Sequence, residues 1–411
     1  MLETLKERRR QLGEKIQDNS LVIICSQDAP VTSADQYYNY FPHRNFFYLT
    51  NIDRPKMTYV LKKINGTVED YLFIEQVSEL EEKWNGIRLK KEEAKALSGI
   101  ENVLADHELR VNLGRWLLHE EIEHAYFDLE RGSYEHADTH QIKFAKELKE
   151  QYPFLQIKNV YHLITKLRLI KTEAEIADLQ IAVDKTQIGI EALMKACQPG
   201  MLEYQLEAHY DFAIKVEGVK KPAFQTIAAS GINATILHYH DNNQVCQDGD
   251  LVLFDLGCEW NNYCADITRT FPVNGKFSPR QREVYQAVLD AQEAVIEMIK
   301  PGVTMQELND VAKAKLTESC KQLGLIENEE DVINYYYHSI GHYLGLDTHD
   351  VGGRGGALEP GMVITIEPGL YIAEEKMGIR IEDNILVTET GYKNLSKNII
   401  KSIEDIEAFM A

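Results

Sequence analysis

The chain has 411 residues, 44% of them hydrophobic, so it is long enough to form two compact domains with sizeable cores. Its formal charge of −21 comes from 44 basic and 65 acidic side chains, and a surface of that sign repels nucleic-acid backbones. No apolar run reaches the length that a membrane-spanning helix needs.

The N-terminal stretch MLETLKERRRQLGEKIQ spreads its charges along a helical pattern and lacks the apolar centre of a signal peptide. The cysteines are scattered and form no C-x-x-C pair: Cys25, Cys197, Cys246, Cys258, Cys264 and Cys320. Scattered cysteines are typical of a reducing compartment, although Cys258 and Cys264 could also face each other across a hairpin and form a disulfide. The sequence therefore predicts a cytoplasmic protein with free thiols.

The first part of the chain alternates β-rich runs with helical patterns, which predicts a small α/β domain over residues 1–165. Strands are predicted at 20–26, 57–64, 70–76 and 124–130. Helices are predicted at 3–18, 90–97, 108–118 and 141–150. Thr172, followed by Glu175 three positions later, is typical of a helix N-cap and predicts a long helix over 173–197.

The second part, residues 166–411, has longer helices and separate pairs of strands, which predicts a larger α+β domain. After the long helix, further helices are predicted at 203–217, 279–299 and 305–323. Strands are predicted at 249–256, 263–272, 362–367 and 378–388. Pro-Gly pairs end two of the helices.

The stretch DLVLFDLGCEWNNYCADITRT, residues 250–270, predicts a buried hairpin that carries two aspartates. A tight turn at Asn261-Asn262 places residue 255 opposite 268 and residue 257 opposite 266. Asp255 and Asp266 are then diagonal neighbours on one face, and Gly257 leaves space beside them. Such a pair is protonated, or solvated by water, or holds a cation, unless Asp266 belongs to an Asx-type turn instead.

The glycine-rich segment SIGHYLGLDTHDVGG contains His342 and His349, and His338 lies just before it. Glycines let a ligand approach the backbone closely, although a single histidine in such a place is more often a structural hydrogen bonder. In GIRIEDNILVTE, Arg380 and Glu382 share one face of a strand. They form a surface salt bridge or, if that strand is buried, require polar partners.

Four carboxylates and one histidine therefore lie on strands or glycine-rich segments of the second domain. The carboxylates are Asp255, Asp266, Glu367 and Glu382. These hard, oxygen-dominated ligands suit two divalent cations such as Mn²⁺, Mg²⁺, Co²⁺ or Zn²⁺ better than a thiolate-bound metal. Bridging carboxylates of this kind are typical of hydrolytic two-metal sites.

At these residues the chain resembles the pita-bread metallopeptidases, the family of methionine aminopeptidase, aminopeptidase P and prolidase. The resemblance covers roughly residues 165–400 and assigns the five metal ligands in order to Asp255, Asp266, His342, Glu367 and Glu382. The first domain is similar to the accessory domain of aminopeptidase P and prolidase through YYNYFPHRNFFYLTNI and EEKWNGIRL. The resemblance implies two divalent metal ions, most commonly Mn²⁺, with Co²⁺, Zn²⁺ or Mg²⁺ as alternatives.

The resemblance also implies catalytic roles. A hydroxide that bridges the metals attacks the scissile carbonyl, and Glu367 carries the proton to the leaving nitrogen. His349 binds the substrate and stabilises the tetrahedral intermediate, and His238, in ATILHYHD, is similar to the family's other site histidine. Arg380 orients Glu382 or the peptide.

Two further residues are implied to contact the substrate. His338 is expected to line the proline pocket, with His240 as a weaker alternative. Trp84 is expected to line a substrate pocket, although it could equally be an ordinary core or interface tryptophan.

The implied activity is that of a Xaa-Pro aminopeptidase acting on peptides with proline at the second position. The alternative is a prolidase, which cleaves Xaa-Pro dipeptides with the same ligands. A remoter alternative is a non-catalytic pita-bread protein that binds a partner, but such relatives lack some of the five ligands. A homo-oligomer, either a dimer or a tetramer, is expected, with no nucleic-acid or membrane partner.

Overall fold

A computed structural model of the chain describes residues 2–353 and 355–411. The chain divides into two compact units, Met1–Arg168 and Leu169–Ala411. Within the described residues, no helix has both the length and the apolar character needed to cross a membrane.

The first unit contains a mixed sheet with strand order β6–β5–β4–β1–β7–β8 and a small separate hairpin, β2–β3. Its strands are β1 Ser20–Cys25, β2 Val31–Ser33, β3 Gln36–Tyr37, β4 Thr58–Ile64, β5 Thr67–Ile74, β6 Asn102–Ala105, β7 His124–Phe127 and β8 Gln156–Asn159. Its helices are α1 Leu2–Lys15, α2 Arg44–Thr50, α3 Glu79–Asn85, α4 Lys91–Ser98, α5 Leu109–His119, α6 His140–Gln151 and, ending at the boundary, α7 Tyr161–Leu169.

The core of the first unit forms around β1, whose sequence SLVIIC is almost entirely apolar. Every residue of β1 is buried, and Trp116 of α5 packs with Phe73 at a ring-centroid distance of 6.4 Å. The strands and helices predicted here are confirmed, apart from small shifts of their ends. The sequence did not predict β6 and β8, which are four-residue strands with too little pattern to recognise.

The second unit packs long helices around several small antiparallel sheets. Its strands are β9 Ile227–Ser230, β10 Leu251–Leu256, β11 Glu259–Trp260, β12 Tyr263–Cys264, β13 Ile267–Pro272, β14 Val363–Ile366, β15 Gly369–Ile372, β16 Met377–Arg380, β17 Asp383–Val387 and β18 Tyr392–Asn394. Its helices are α8 Glu173–Ala196, α9 Glu203–Val216, α10 Pro279–Glu297, α11 Met305–Gln322 and α12 Ile403–Met410. The sheets have the orders β13–β10–β9, β14–β17–β18, β15–β16 and β11–β12.

Three of these helices begin with capping boxes, and the one at Thr172 was predicted from the sequence. Thr172, Ser278 and Thr304 each cap a helix, and the side chain three positions later accepts a hydrogen bond from the backbone NH of the cap residue. These reciprocal bonds satisfy amide groups that the first helical turn leaves without partners.

The aspartate hairpin has the predicted register. Asn261 and Asn262 form its turn with φ of 47° and 68°, Trp260 pairs with Tyr263, and Asp255 pairs with Thr268. Positive φ at both turn residues is what a type I′ hairpin requires. The small pair β11–β12 and the longer pair β10–β13 therefore share one register.

Gly257 was predicted to leave space beside the two aspartates, but the structure gives a different reason for a glycine at this position. A Cβ atom at Gly257 would lie 1.8 Å from the carbonyl oxygen of Ala265 on the opposing strand. The partner backbone therefore occupies the space expected to accommodate a ligand. Glycine is required here because the two strands approach too closely for any side chain.

The predicted strand at 378–388 is interrupted. Strand β16 ends at Arg380 and β17 begins at Asp383, so Ile381 and Glu382 lie between two different sheets. All six cysteines are buried and none forms a disulfide, so the disulfide alternative for Cys258 and Cys264 is wrong.

Candidate active site

Three predicted ligands form a compact group in the second unit. Asp266, His342 and Glu382 each offer one ligand atom, and these atoms lie within 4.8 Å of one another. Asp266 precedes β13, and Glu382 follows β16. His342 Nε2 lies 3.3 Å from Asp266 Oδ2 and 3.8 Å from Oε1 of Glu367, which directly follows β14.

The orientation of His342 favours metal binding through Nε2. Its Nδ1 lies 3.0 Å from the carbonyl oxygen of Tyr343, which can only accept a hydrogen bond. The proton therefore resides on Nδ1, and the lone pair of Nε2 points towards the carboxylates. Gly341 permits this arrangement, because a Cβ there would lie 2.0 Å from the carbonyl oxygen of Thr365.

The acidic cluster, defined as Asp255, Asp266, Glu367 and Glu382, is electrostatically unfavourable by itself. Burial, followed by the nearby charges of Asp255 and Glu367, raises the pKa of Asp266 well above its ordinary value. Burial and the charge of Asp266 likewise raise the pKa of Glu382. The pKa of Glu367 is also raised, mainly by burial. Carboxylates packed so closely repel one another unless a cation or protons intervene.

Two oxygens in this cluster have no hydrogen-bond partner in the part of the chain that the structure describes. They are Asp255 Oδ1 and Glu382 Oε1, both buried. Leaving such acceptors unsatisfied is costly. Four carboxylates, an imidazole with its lone pair directed inwards and these two oxygens together form a donor set that fits divalent cations.

Arg380 lies at the edge of the cluster, and it is buried. Its Nη2 donates to Asp255 Oδ2 at 2.6 Å, its Nη1 to the Tyr371 hydroxyl at 3.0 Å and its Nε to Thr268 Oγ1 at 3.1 Å. Thr268 in turn donates to Glu382 Oε2 at 2.7 Å. The surface salt bridge considered for Arg380 and Glu382 is therefore wrong, since both are buried and Thr268 connects them.

His338 has both ring nitrogens engaged by the protein. Its Nδ1 lies 2.8 Å from the carbonyl oxygen of Ser339, and its Nε2 lies 2.8 Å from the Tyr371 hydroxyl. Burial, together with the nearby Arg380, lowers the pKa of His338 to about 4. His338 is therefore neutral near pH 7, and only its ring faces remain available to a ligand.

The other predicted histidines have more exposed side chains. The His349 ring centroid lies 4.2 Å from that of His342, and its pKa is lowered by burial, then by His342 and His238. His238 and His240 are exposed and stack at a centroid distance of 6.3 Å. His238 also contributes to the lowered pKa of His338, so it lies in the same region.

Trp84 belongs to the first unit. It lies in α3 and is 81% exposed, so it is not a core residue. The core tryptophan of that unit is Trp116, which has no exposed surface. The substrate contact expected of Trp84 stays a prediction.

Three contributing residues were not identified from the sequence. Thr268 could have been found, because the predicted register already placed it opposite Asp255. Tyr371, which connects Arg380 to His338, gave no local signal beyond its position two residues after Pro368-Gly369. Asn384 holds Asp266 through bonds to both its backbone NH and its backbone carbonyl, and these contacts depend on long-range packing.

Comparisons with known proteins agree on one family. The family described as "Metallopeptidase family M24" matches residues 177–389, and "Aminopeptidase P, N-terminal domain" matches residues 5–126. The Xaa-Pro aminopeptidase of Escherichia coli is 35% identical, with 98% of this chain and 97% of the relative covered. A Bacillus anthracis structure assigned to aminopeptidase P has a TM-score of 0.98 and 46% identity, covering 100% of this chain and 98% of its own. The zinc-substituted E. coli aminopeptidase P in complex with product has a TM-score of 0.91 and 33% identity, covering 100% and 98%.

Proposed function

The chain belongs to metallopeptidase family M24, and from that premise we propose that it hydrolyses the bond between an N-terminal residue and a following proline. It is a metal-dependent Xaa-Pro aminopeptidase with the pita-bread fold, and its substrates are peptides with proline at the second position. The single observation that carries the proposal is the buried acidic cluster beside His342, with two of its oxygens lacking partners among the described residues.

Five side chains would hold two divalent ions, for which we propose Mn²⁺: Asp255, Asp266, His342, Glu367 and Glu382. When bound, the ions supply Lewis acidity that polarises the scissile carbonyl and makes water a better nucleophile at neutral pH. The oxygen-rich ligand set supports a hard cation over a thiolate-preferring one.

Glu367 is proposed to carry the proton from the attacking water to the leaving nitrogen. Its side chain is 19% exposed, whereas that of Asp266 is 7% exposed, so Glu367 is the more accessible of the two carboxylates to a substrate. Arg380 holds Asp255 directly and Glu382 through Thr268, which fixes the positions of two proposed ligands.

Three histidines are proposed to contact the peptide. His349 and His238 have exposed side chains, so their ring nitrogens can bind the substrate, and His349 is proposed to stabilise the developing oxyanion as well. His338 presents a neutral ring with both nitrogens engaged, and such a surface suits the apolar proline ring. His240 is the alternative for that last role, and Trp84 is proposed to contribute a further substrate contact.

The wider assignments are also part of the proposal. Residues 1–165 form the accessory domain, and residues 166–411 form the catalytic domain, which contains all the proposed ligands. A cytoplasmic location is supported by the buried cysteines, none of which forms a disulfide, as is usual in a reducing compartment. The active form is a homo-oligomer, whose size analytical ultracentrifugation would measure.

The test is turnover of an Ala-Pro-Pro tripeptide by metal-stripped protein to which each divalent ion is restored in turn. We expect activity to return with Mn²⁺ and to release alanine. Faster cleavage of the Ala-Pro dipeptide than of the tripeptide would indicate a prolidase instead. Absence of bound metal and of turnover under all conditions would indicate a non-catalytic binding protein.

A further inference from the structure

Glu203 is a buried carboxylate that the proposed mechanism does not use. It lies in the first turn of α9 and has no exposed surface. Its Oε1 accepts bonds from Ser230 N and Ser230 Oγ, both at 2.7 Å, and from Asn233 Nδ2 at 3.1 Å. Its Oε2 accepts from the Tyr239 hydroxyl at 2.9 Å and from Gln244 N at 3.0 Å. All five donors are neutral, and together they offset the cost of burying the charge.

The donors to Glu203 all lie in one connecting segment, residues 230–244, between β9 and β10. Ser230 ends β9, Asn233 lies in the following 3₁₀ turn, and Gln244 comes near the end of the segment. The backbone of Gln244 also accepts a bond from Glu203 N at 3.0 Å. The Glu203 carboxylate is therefore hydrogen-bonded to both ends and to the middle of this segment, which it holds against the start of α9.

The middle attachment is Tyr239, which lies between His238 and His240. Tyr239 is 7% exposed, whereas both histidines are exposed and stack with an interplanar angle of 19°. His238 ends the turn that follows the 3₁₀ segment, and Tyr239 is the next residue. Because one planar peptide joins the two residues, holding the Tyr239 side chain inside restricts the directions in which the His238 ring can project.

The Tyr239 hydroxyl is a reliable donor in this arrangement. Burial, and then the bond to Glu203, raises the pKa of Tyr239 to about 12, so the hydroxyl keeps its proton across the physiological range. A phenylalanine at this position would retain the buried ring and lose the bond to Glu203, together with the contact of the hydroxyl with the backbone of Asn243.

We propose that Glu203 is a positioning residue that orients His238 towards the substrate by holding the hydroxyl of Tyr239. The inference rests on the proposed function, because it takes His238 to contact the peptide. Substrate-binding groups must be held closely to their productive geometry, and a displacement of about 1 Å can cost a large factor in rate. The hydrogen bonds of Glu203 provide that support from outside the acidic cluster.

The principal test is Tyr239→Phe, with Tyr285→Phe as the matched control. Tyr285 is also buried, and its hydroxyl donates a 2.8 Å hydrogen bond to the carbonyl of Lys401. Each substitution should lower the unfolding temperature by only about 2–4 °C. Tyr239→Phe should raise the KM for Ala-Pro-Pro about tenfold with little change in kcat, whereas Tyr285→Phe should leave both unchanged.

A double-mutant cycle decides whether the effect passes through His238. In a His238→Ala background, Tyr239→Phe should change KM no further. An equal increase in KM in both backgrounds would overturn the proposal, because it would mean that Tyr239 acts by general loosening of the fold. Glu203→Gln should reproduce the effect of Tyr239→Phe if the variant folds.

A second measurement does not depend on turnover. The ¹H–¹³C signal of the His238 ring in metal-free protein can be assigned by its loss in His238→Ala. Tyr239→Phe should shift or broaden that signal, and Tyr285→Phe should not. An unchanged His238 signal in Tyr239→Phe would refute the positioning role. If the wild type fails to cleave any Xaa-Pro peptide, the proposed function fails, and this ring signal still decides whether Glu203 and Tyr239 hold His238.

Discussion

Glu382 and Asp383 are adjacent in the chain and are both buried, yet their carboxylates have opposite surroundings. Asp383 accepts bonds from Arg269 Nη2 at 2.7 Å and from Lys401 Nζ at 2.9 Å. Burial alone would raise the pKa of Asp383, but these two cations lower it below its ordinary value. Glu382 accepts one bond, from Thr268, and its pKa is raised.

Asp383 is thus a buried charge that the protein itself neutralises, whereas no cationic side chain among the described residues is bonded to the carboxylate of Glu382. Arg269 also donates to the backbone carbonyls of Thr268, Glu382, Ile399 and Ile400, so the ion pair with Asp383 connects several segments. Around Glu382 the balance of charge is different. Within the described residues, Arg380 is the only buried arginine or lysine that forms an ion pair with the acidic cluster, and it pairs with Asp255. Asp383 therefore contributes to stability, whereas Glu382, a proposed metal ligand, costs stability in the metal-free protein.

The largest expected effect is the loss of turnover when a carboxylate of the acidic cluster is removed. Asp266→Ala should abolish turnover of Ala-Pro-Pro, by about a thousandfold or more, because it removes a ligand from the centre of the cluster. The circular dichroism spectrum should remain that of the wild type, and the bound metal should fall. Substantial activity in a properly folded variant would contradict the assignment of Asp266.

The next largest effect is on stability, when the neutralised carboxylate of Asp383 is replaced. Asp383→Asn should lower the free energy of unfolding of metal-free protein by about 3–5 kcal/mol, because it leaves Arg269 and Lys401 without their buried counter-charge. Urea denaturation would measure the loss. Asp290→Asn, on the exposed face of α10, is the control and should change little. A loss as small as the control's would show that Asp383 is not what balances these cations.

The neighbouring substitution should behave in the opposite way. Glu382→Gln should not destabilise metal-free protein and should increase its free energy of unfolding by about 1–2 kcal/mol, because a poorly satisfied buried charge is removed. Added Mn²⁺ should raise the unfolding temperature of the wild type and have no such effect on this variant. Destabilisation matching that of Asp383→Asn would eliminate the contrast between the two carboxylates.

The smallest expected effect on stability comes from removing an uncharged hydrogen-bond donor to Asp383. Asn394 Nδ2 donates to Asp383 Oδ2 at 2.9 Å, and Asn394→Ala should cost about 1 kcal/mol because the two cations remain. The same urea titration would resolve it from Asp383→Asn. A cost equal to that of Asp383→Asn would mean that hydrogen bonding, rather than charge, dominates this region.

Local sequence patterns predicted the helices and the hairpin register, but they did not predict the surroundings of Glu382 and Asp383. The hairpin register followed from Asn261-Asn262, and the start of α8 followed from its cap at Thr172, because both signals lie within a few residues. The break at Ile381–Glu382 was not predicted, since alternation of apolar and polar residues continues through it. Nothing local distinguishes Glu382 from Asp383, because their partners lie more than a hundred residues earlier or in the segment that follows.

The proposed ligands were found from the sequence by the resemblance, and the structure brings three of them into one group. Glu203 was missed for a physical reason. An acidic residue in the first turn of a helix ordinarily interacts with the helix dipole at the surface, so its sequence position carries no sign of burial. Only the long-range packing of residues 230–244 makes it structurally important.

The contact between Thr268 and Glu382 has a consequence for protein synthesis. During translation Asp255 and Asp266 leave the ribosome long before Glu382, and Lys401, which pairs with Asp383, emerges later still. On the proposed ligand assignment, a nascent chain that has not yet presented Glu382 lacks one of the five ligands, and a premature stop codon before Glu382 should yield an inert product. Non-local pairing of this kind also slows folding.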